Sequence, residues 1–147
     1  MQAQGDFSLN AGQHSVTYLP SSDTAATGRY QVLLYDNNFG AAESYPKFDW
    51  GQLGAAVVTD YSKGTHSFGS HTLRWIETAR TYKLVDQIAV PFSGYVSSAQ
   101  RVGDSNSMLV ASGQAKTFTE YDRYGLPIAT YEMEAEKYIY RVYKYEL

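Results

Sequence analysis

The chain has 147 residues and a formal net charge of −3, with 44% hydrophobic and 18% charged residues, which predicts one soluble globular unit. Lys and Arg form no cluster that could neutralise phosphates, so nucleic acid is excluded as a partner. No apolar run reaches the roughly 20 residues that cross a bilayer, and the opening residues Met1–Asp6 lack the basic and apolar stretches of a signal peptide. The absence of cysteine excludes disulfides, thiolate zinc sites and cysteine nucleophiles.

Short runs of β-branched and aromatic residues, bounded by Gly, Pro, Asn, Asp and Ser, predict an all-β fold. In chain order the predicted strands are 13–19, 30–35, 72–78, 82–90, 95–102, 108–112, 117–122, 128–133 and 138–145. Turn signals at 103–106, 113–114 and 124–127 separate four of them at the spacing of about 8 to 12 residues that is typical of a β-meander. These four strands are predicted to form one antiparallel sheet.

A long connection separates the second and third predicted strands. Residues 38–70 are rich in Gly, Ser and Ala, and they greatly exceed the roughly 4 to 6 residues of an ordinary connection. Aromatic residues are interspersed through the stretch, namely Phe39, Tyr45, Phe48, Trp50 and Tyr61. Because disordered segments are poor in such side chains, we expect an ordered loop that caps one end of the molecule.

A weak internal repeat indicates how the strands are arranged. The segment 72–77 (TLRWIE) is matched 45 residues later by 117–122 (TFTEYD), and each is an alternating strand that closes on an acidic residue. This offset is typical of a propeller blade, a four-stranded sheet that needs a neighbour stacked on it to bury its faces. The sequence therefore predicts antiparallel four-stranded sheets arranged as propeller blades, with a β-sandwich or barrel as the alternative.

The histidines His14, His66 and His71 are the natural candidates for a nucleophile, base or ligand at neutral pH, because the chain has no thiol. His14 opens a predicted strand just after Gly12, and active-site groups collect where strands meet loops. An ordinary hydrogen-bonded histidine is the simpler interpretation of this position alone. His66 and His71 are five residues apart, a spacing that could reach one metal ion. No carboxylate or third histidine lies in register with them, so no metal is predicted.

Two segments give the chain a resemblance to a known family. Gln13–Pro20 (QHSVTYLP) is followed by Val32–Asn37 (VLLYDN), in which Asp36–Asn37 taken alone is a turn signal. Together they resemble the C-terminal part of the bacterial aryl-sulfate sulfotransferase family. Weaker similarity extends over nearly the whole chain, through Ser70–Glu77, Tyr95–Gln100, Met108–Gly113, Glu120–Gly125 and Tyr140–Tyr145.

The resemblance implies an enzyme that moves a sulfuryl group from a phenolic sulfate ester to a phenol without a nucleotide sulfate donor. It places the nucleophile, a histidine that is transiently sulfated, on His14, and it implies no cofactor. Asn37, Ser97 and Ser98 are the polar candidates for binding substrate. A neutral imidazole suits the task because it attacks well near neutral pH and its sulfated form is reactive enough to pass the group on. His71 stands where relatives often carry arginine.

The resemblance implies that family members are six-bladed β-propellers of several hundred residues. We therefore expect this chain to be the C-terminal part of such a propeller. The predicted units are a blade over about 11–90 with a long loop over 38–70, a blade over about 95–134, and a closing strand over 138–147. Such a fragment is expected to be inactive alone and to form a homo-oligomer through its uncovered edges.

The parent protein is expected to be periplasmic, secreted or at the cell surface. Its partners would be a phenolic sulfate donor and a phenol acceptor. A non-catalytic propeller or sandwich that binds carbohydrate or protein is the alternative function.

Overall fold

The computed structural model describes residues 2–7, 10, 12–20, 27–39, 47–49, 52, 61–76, 79–103 and 106–145, apart from the side chains of 20, 61, 70, 71 and 73–75. Nearly all the secondary structure in these ranges is β-strand, which confirms the predicted all-β class. A 3-10 turn at Tyr61–Lys63 precedes the β-strand His66–Ile76, the longest of the described strands. No described helical segment has the length and apolar character that a membrane crossing needs.

The first sheet has six strands. They are β1 (Gln2–Ala3), β2 (His14–Pro20), β3 (Arg29–Asp36), β4 (His66–Ile76), β5 (Thr81–Asp86) and β6 (Ala89–Pro91). Their order is β1-β5-β4-β3-β2, with β6 also paired to β4. Neighbouring strands are antiparallel except β1, which pairs with β5 in parallel. This order leaves β2, and with it His14, at one edge of the sheet.

The second sheet is a four-stranded antiparallel meander in which each strand pairs with the next along the chain. Its strands are β7 (Ser98–Val102), β8 (Ser107–Ser112), β9 (Thr117–Tyr121) and β10 (Pro127–Glu132). Gly103, Asn106 and Gly125 adopt positive φ in the connections, as Gly and Asn do most readily. The pairing of these strands confirms the predicted antiparallel sheet.

The weak internal repeat corresponds to equivalent places in the two sheets. Thr72 lies in β4, the third strand of the antiparallel run β2-β3-β4-β5. Thr117 begins β9, the third strand of the run β7-β8-β9-β10. The repeat therefore marks the same strand position in two similar runs of four antiparallel strands, one in each sheet.

The hydrophobic core lies between the two sheets. Its buried members are Leu33, Tyr35 and Val90 from the first sheet and Ala99, Met108, Val110 and Tyr121 from the second. Burying an aliphatic or aromatic side chain of this size contributes about 1.5 to 3 kcal/mol. At Gly69 of β4, an added Cβ atom would lie 2.2 Å from Val110 Cγ1. The two sheets therefore approach each other at this point too closely for a larger residue.

Two predicted boundaries in the first sheet differ from the structure. β4 begins at His66, so the end of the predicted 38–70 loop is strand, because residues 66–68 pair with β6. Much of the rest of that loop, including 40–46 and 53–60, lies outside the described residues, and its role as a cap stays a prediction. The predicted strand 82–90 is divided into β5 and β6, because its register against β4 shifts at the end of β5.

Residues 138–145, here called the C-terminal tail, take the place of the predicted closing strand without forming a strand ladder. The tail is bound by two backbone contacts at its start. Ile139 N donates to Gly113 O at 2.9 Å, and Ser97 N donates to Tyr140 O at 3.1 Å. A Cβ atom on Gly113 would lie 2.2 Å from Ile139 O. The tail therefore needs a glycine where it crosses the second sheet.

Further along, the tail is bound by side chains of β7. Ser98 Oγ donates to Val142 O and accepts from Val142 N, both at 3.1 Å. The Gln100 side chain donates from Nε2 to Lys144 O and accepts from Lys144 N at Oε1, both at 2.8 Å. Lys144 Nζ also pairs with Glu120 of β9 at 3.0 Å. Side chains thus supply the hydrogen bonds that a neighbouring strand would otherwise supply.

Candidate active site

His14 stands at an irregularity at the start of β2. It pairs with Tyr35 of β3, and the register of the two strands shifts between His14 and Thr17. Gly12 and Ser15, on either side of it, have positive φ values of 68° and 54°. Bulges of this kind bend a strand and re-aim the neighbouring side chain. The backbone therefore takes His14 out of the regular alternation of the strand.

The half-buried ring of His14 is held through one of its nitrogens. Nδ1 lies 3.0 Å from Gly12 O and 2.6 Å from Asn37 Oδ1. Gly12 is itself constrained, because a Cβ atom there would lie 2.6 Å from Phe39 O. Both partners of Nδ1 are oxygen atoms, which fixes the ring in one orientation.

Asn37 follows β3 and is fully buried. Its Nδ2 donates to Ser93 O at 2.6 Å and to Val96 O at 3.0 Å, and its backbone carbonyl accepts from Ser67 Oγ at 3.0 Å. The side-chain amide thus has partners at both its oxygen and its nitrogen, as a buried amide requires. Its predicted contact with substrate stays a prediction, since in the structure its hydrogen bonds are to protein groups.

The connection between β6 and β7 provides both carbonyls that receive the Asn37 amide. Within it, Val96 and Ser97 have positive φ values of 58° and 91°. A β-branched residue in this region of φ is a true outlier, and such strain costs on the order of 1 to 3 kcal/mol. Strained backbone clusters at functional sites. The conformation of this connection is therefore an independent reason to look for function beside Asn37.

Ser97 is fully buried in a network of hydroxyl groups that holds the same connection. Its Oγ donates to Ser93 Oγ and accepts from Gly113 N, both at 2.9 Å. Ser93 N donates to Ser67 Oγ at 2.9 Å, which ties the connection to β4. Because every one of these groups has a partner, the network makes the connection rigid.

Ser98 is also fully buried, and its hydroxyl group binds the backbone of Val142 in the C-terminal tail. The predicted contacts of Ser97 and Ser98 with substrate stay predictions. In the structure both hydroxyl protons are donated to protein groups, Ser93 Oγ and Val142 O.

Tyr35, the strand partner of His14, presents an uncharged phenol to the interior. Burial raises the pKa of Tyr35, and the hydrogen bond with Ser112 offsets part of that rise. The two hydroxyl oxygens lie 3.1 Å apart, and the Tyr35 hydroxyl also donates to Pro91 O at 3.4 Å. A neutral, hydrogen-bonded tyrosine therefore supports β3 behind the histidine.

The other two histidines are not brought to His14 by any hydrogen bond that the structure gives. His66 Nδ1 lies 3.0 Å from Thr65 Oγ1, and its ring packs edge-on against Phe68. The side chain of His71 lies outside the described part of the chain. Among the described residues, no three His, Asp or Glu side chains are grouped so that they could hold a metal ion.

Sequence reasoning missed Ser93 and Val96, the residues whose carbonyls bind the Asn37 amide. They are 56 and 59 residues away from Asn37 along the chain, and no periodic pattern relates them to it. Ser93-Gly94 is a turn signal that could have indicated an irregular connection here. The positive φ of Val96 has no signal in the sequence, because valine is a strand-forming residue.

Comparison with known protein families gives a match. The family model described as arylsulfotransferase (ASST) matches residues 1–143, which is nearly the whole chain. No curated protein and no solved structure matches. The match covers the strand that begins at His14, the turn at Asn37 and the whole second sheet. The chain therefore belongs to the arylsulfotransferase family.

Proposed function

We propose that this chain carries the nucleophilic histidine of an aryl sulfate sulfotransferase that works without a nucleotide sulfate donor. The observation that carries the proposal is the geometry of His14, which starts an edge strand at a bulge and has Nδ1 held by two oxygen atoms. Because Nδ1 is engaged, Nε2 is the nitrogen left to attack sulfur. Membership of the family supports the reaction class.

The reaction has two steps that share one intermediate. In the first, the lone pair of His14 Nε2 forms a bond to sulfur, and the bond from sulfur to the phenolic oxygen breaks with its electron pair on the departing phenolate. In the second, the oxygen of the acceptor phenol attacks sulfur, the N–S bond breaks, and its electron pair returns to Nε2. The acceptor's proton ends on the first phenol by way of solvent. Ping-pong kinetics follow from this sequence.

The transition state spreads negative charge over the sulfuryl oxygens, as in phosphoryl transfer, and needs hydrogen-bond donors and cations around them. Asn37, Ser97 and Ser98 remain our proposed substrate contacts in this chain. The two serines directly follow Val96, whose carbonyl accepts a hydrogen bond from the Asn37 amide. The resemblance implies that further histidines and an arginine come from other blades. We therefore propose that the isolated chain turns over aryl sulfates poorly.

The proposal places the chain in the C-terminal part of a six-bladed propeller that is exported to the periplasm, the cell surface or the medium. The similar runs of four antiparallel strands in the two sheets, and the core packed between the sheets, support the blade assignment. The isolated chain is proposed to self-associate, because aromatic side chains such as Tyr140 and Tyr145 are more than half exposed and exposed apolar patches favour association.

The direct test is to find the sulfated residue. The full-length parent protein is incubated with a chromogenic aryl sulfate and no acceptor, and its peptides are then measured by mass spectrometry. We expect a gain of one sulfuryl group on the peptide that contains His14, together with release of one phenol per protein. The label should disappear when an acceptor phenol is added.

The matched controls are two histidine variants. His14→Asn should abolish the label, whereas His66→Asn should leave it unchanged. A label on a peptide that carries His66 or His71 would contradict the assignment. A parent protein that takes no label and releases no phenol, but binds a carbohydrate or a protein, would favour the alternative of a non-catalytic module.

A further inference from the structure

We infer that Asn37 is a positioning residue that selects the tautomer of His14 and keeps its sulfated form reactive; the second part of this inference rests on the proposed function. Asn37 is fully buried and its Oδ1 lies 2.6 Å from His14 Nδ1. It touches the nucleophile on the side away from Nε2. Its effect on the chemistry is therefore exerted through the ring.

The first step of the argument is the orientation of the amide. The oxygen and nitrogen of an asparagine side chain are told apart by their partners. One end of the Asn37 amide lies 2.6 Å from Ser93 O and 3.0 Å from Val96 O. Both are backbone carbonyls that can only accept, so this end is the NH2 group. The end that faces His14 is therefore the oxygen.

The second step is the tautomer of the histidine. With an amide oxygen at 2.6 Å and Gly12 O at 3.0 Å, Nδ1 has two acceptors and no donor. A proton on Nδ1 satisfies this arrangement, whereas a lone pair there would face two oxygens. The neutral ring thus carries its proton on Nδ1 and its lone pair on Nε2. The second shell around a histidine commonly fixes its tautomer in this way.

The third step concerns the charge of the partner. When Nε2 bonds to sulfur, the ring becomes cationic and the Nδ1 proton becomes a stronger donor to Asn37. An amide oxygen accepts this hydrogen bond but does not take the proton, since the amide is a very weak base. The ring therefore keeps its positive charge, and in the second step it leaves as neutral imidazole. A carboxylate in the same place would stabilise the cation and slow its departure.

The strained connection explains how the amide is held. Val96 presents its carbonyl to Asn37 with a φ of 58°, and the Ser97 hydroxyl, bound to Ser93 Oγ, holds the chain on either side of it. Strain of this kind persists only where the surroundings determine the conformation. The core between the sheets and the serine network are what fix the Asn37 amide, so the second sheet acts on the nucleophile through Val96.

The test measures the tautomer directly, by the 15N chemical shifts of the two ring nitrogens of His14 in the chain at a pH where the ring is neutral. In the unaltered chain we expect the Nδ1–H form to predominate. Asn37→Ala should lower the ratio of Nδ1–H to Nε2–H about tenfold, the effect of losing one hydrogen bond. Gly12 O remains as an acceptor, so the preference should not reverse completely.

The matched control is Asn38→Gly, the neighbouring asparagine, which is also buried but whose Nδ2 donates to His66 O at 3.3 Å. Glycine suits its φ of 54°, and the tautomer ratio of His14 should not change in this variant. A predominant Nε2–H form in the unaltered chain would overturn the inference even if no variant folds. An unchanged ratio in folded Asn37→Ala would overturn it as well.

A kinetic measurement in the parent protein separates this inference from the proposed function. In Asn37→Asp, at a pH high enough for the new carboxyl group to ionise beside the Ser93 and Val96 carbonyls, sulfated His14 should persist at least several times longer in the presence of an acceptor phenol than in the unaltered protein. An equal or shorter lifetime would refute the role of the neutral amide. If His14 is never sulfated but has the expected tautomer, the proposed function fails while the assignment of the tautomer to Asn37 stands.

Discussion

The two sheets contain similar runs of four strands but differ in regularity. In the first sheet the register shifts in the pairing of β2 with β3, of β3 with β4 and of β4 with β5. In the second, the pairings of β7 with β8 and of β8 with β9 are unbroken, and only the outer pair of β9 and β10 has a shift. The candidate nucleophile lies in the irregular sheet.

This difference indicates that the two sheets have different roles, the first positioning the candidate site and the second stabilising the core. Register shifts re-aim side chains. Two of the three, between His14 and Thr17 and between Leu34 and Asp36, lie where His14 and Asn37 meet. The regular sheet contributes four of the seven buried core residues, and its first strand, β7, begins two residues after Val96. Changes in the second sheet should therefore alter stability first and the site indirectly.

The largest effect is expected at the contact between the sheets. Gly69→Ala would place a methyl group 2.2 Å from Val110 Cγ1 and 2.9 Å from Val90 Cγ1, and these stiff, buried side chains have little room to yield. We expect a loss of about 2 to 3 kcal/mol in the free energy of unfolding, as in other overpacked cores. Urea denaturation followed by circular dichroism measures it.

The matched control is the double variant Gly69→Ala/Val110→Ala. Val110→Ala alone should cost about 1 to 2 kcal/mol through the cavity it leaves. In the double variant the new methyl group fills part of that cavity. The loss in the free energy of unfolding of the double variant should therefore be smaller than the sum of the losses in the two single variants. Simple additivity would show that the sheets do not press against each other at Gly69.

A smaller effect on stability is expected from the two buried tyrosines of the core, which should differ in how strongly they make stability depend on pH. Burial raises the pKa of Tyr35 in the first sheet and, with less complete burial, that of Tyr121 in the second. The unfolded chain ionises its tyrosines near pH 10, while the folded chain holds these protons to higher pH. Stability should therefore be unaffected below about pH 9 and fall above about pH 10, by about 1.4 kcal/mol per pH unit for each such tyrosine.

Urea unfolding from about pH 8 to about pH 12 tests this with single Phe variants. Tyr35→Phe should remove more of the loss of stability at alkaline pH than Tyr121→Phe does. At neutral pH Tyr35→Phe itself should lower the free energy of unfolding by about 1 kcal/mol, because the hydrogen bond to Ser112 is lost. Tyr124→Phe is the control, because Tyr124 is 73% exposed. A steeper alkaline loss in Tyr35→Phe than in the unaltered chain would contradict the sign of the shift.

The smallest effect is expected at the tail. Gln100→Ala removes both hydrogen bonds to the backbone of Lys144, but water can replace them at this exposed position. We expect amide hydrogen exchange at Lys144 to accelerate about fivefold, with no more than about 1 kcal/mol lost overall. Gln87→Ala, at an exposed glutamine between β5 and β6, should change neither quantity. Unaltered exchange at Lys144 would show that the tail is held by other contacts.

The second sheet was the more predictable from sequence because two of its three turns use residues that tolerate positive φ, namely Gly103, Asn106 and Gly125. In the third turn the positive φ falls on Lys116, which carries no such signal. The first sheet was less predictable from sequence. The division between β5 and β6 and the parallel pairing of β1 with β5 follow from packing between segments that are distant in the chain. His14 and Asn37 were found through a family resemblance. Their contact, and the Val96 carbonyl that orients it, arise from tertiary structure that overrides the strand preference of valine.

The way β7 binds the tail has a consequence for which substitutions the protein can tolerate. Ser98 and Gln100 contact the backbone of Val142 and Lys144, and a backbone is the same whatever side chain it carries. Positions 142 and 144 are therefore free to change their side chains, proline excepted, as far as these hydrogen bonds are concerned. The binding of the tail is determined instead by residues 44 positions earlier in the chain. They are a serine and a glutamine whose side chains form the hydrogen bonds that a neighbouring strand would otherwise form.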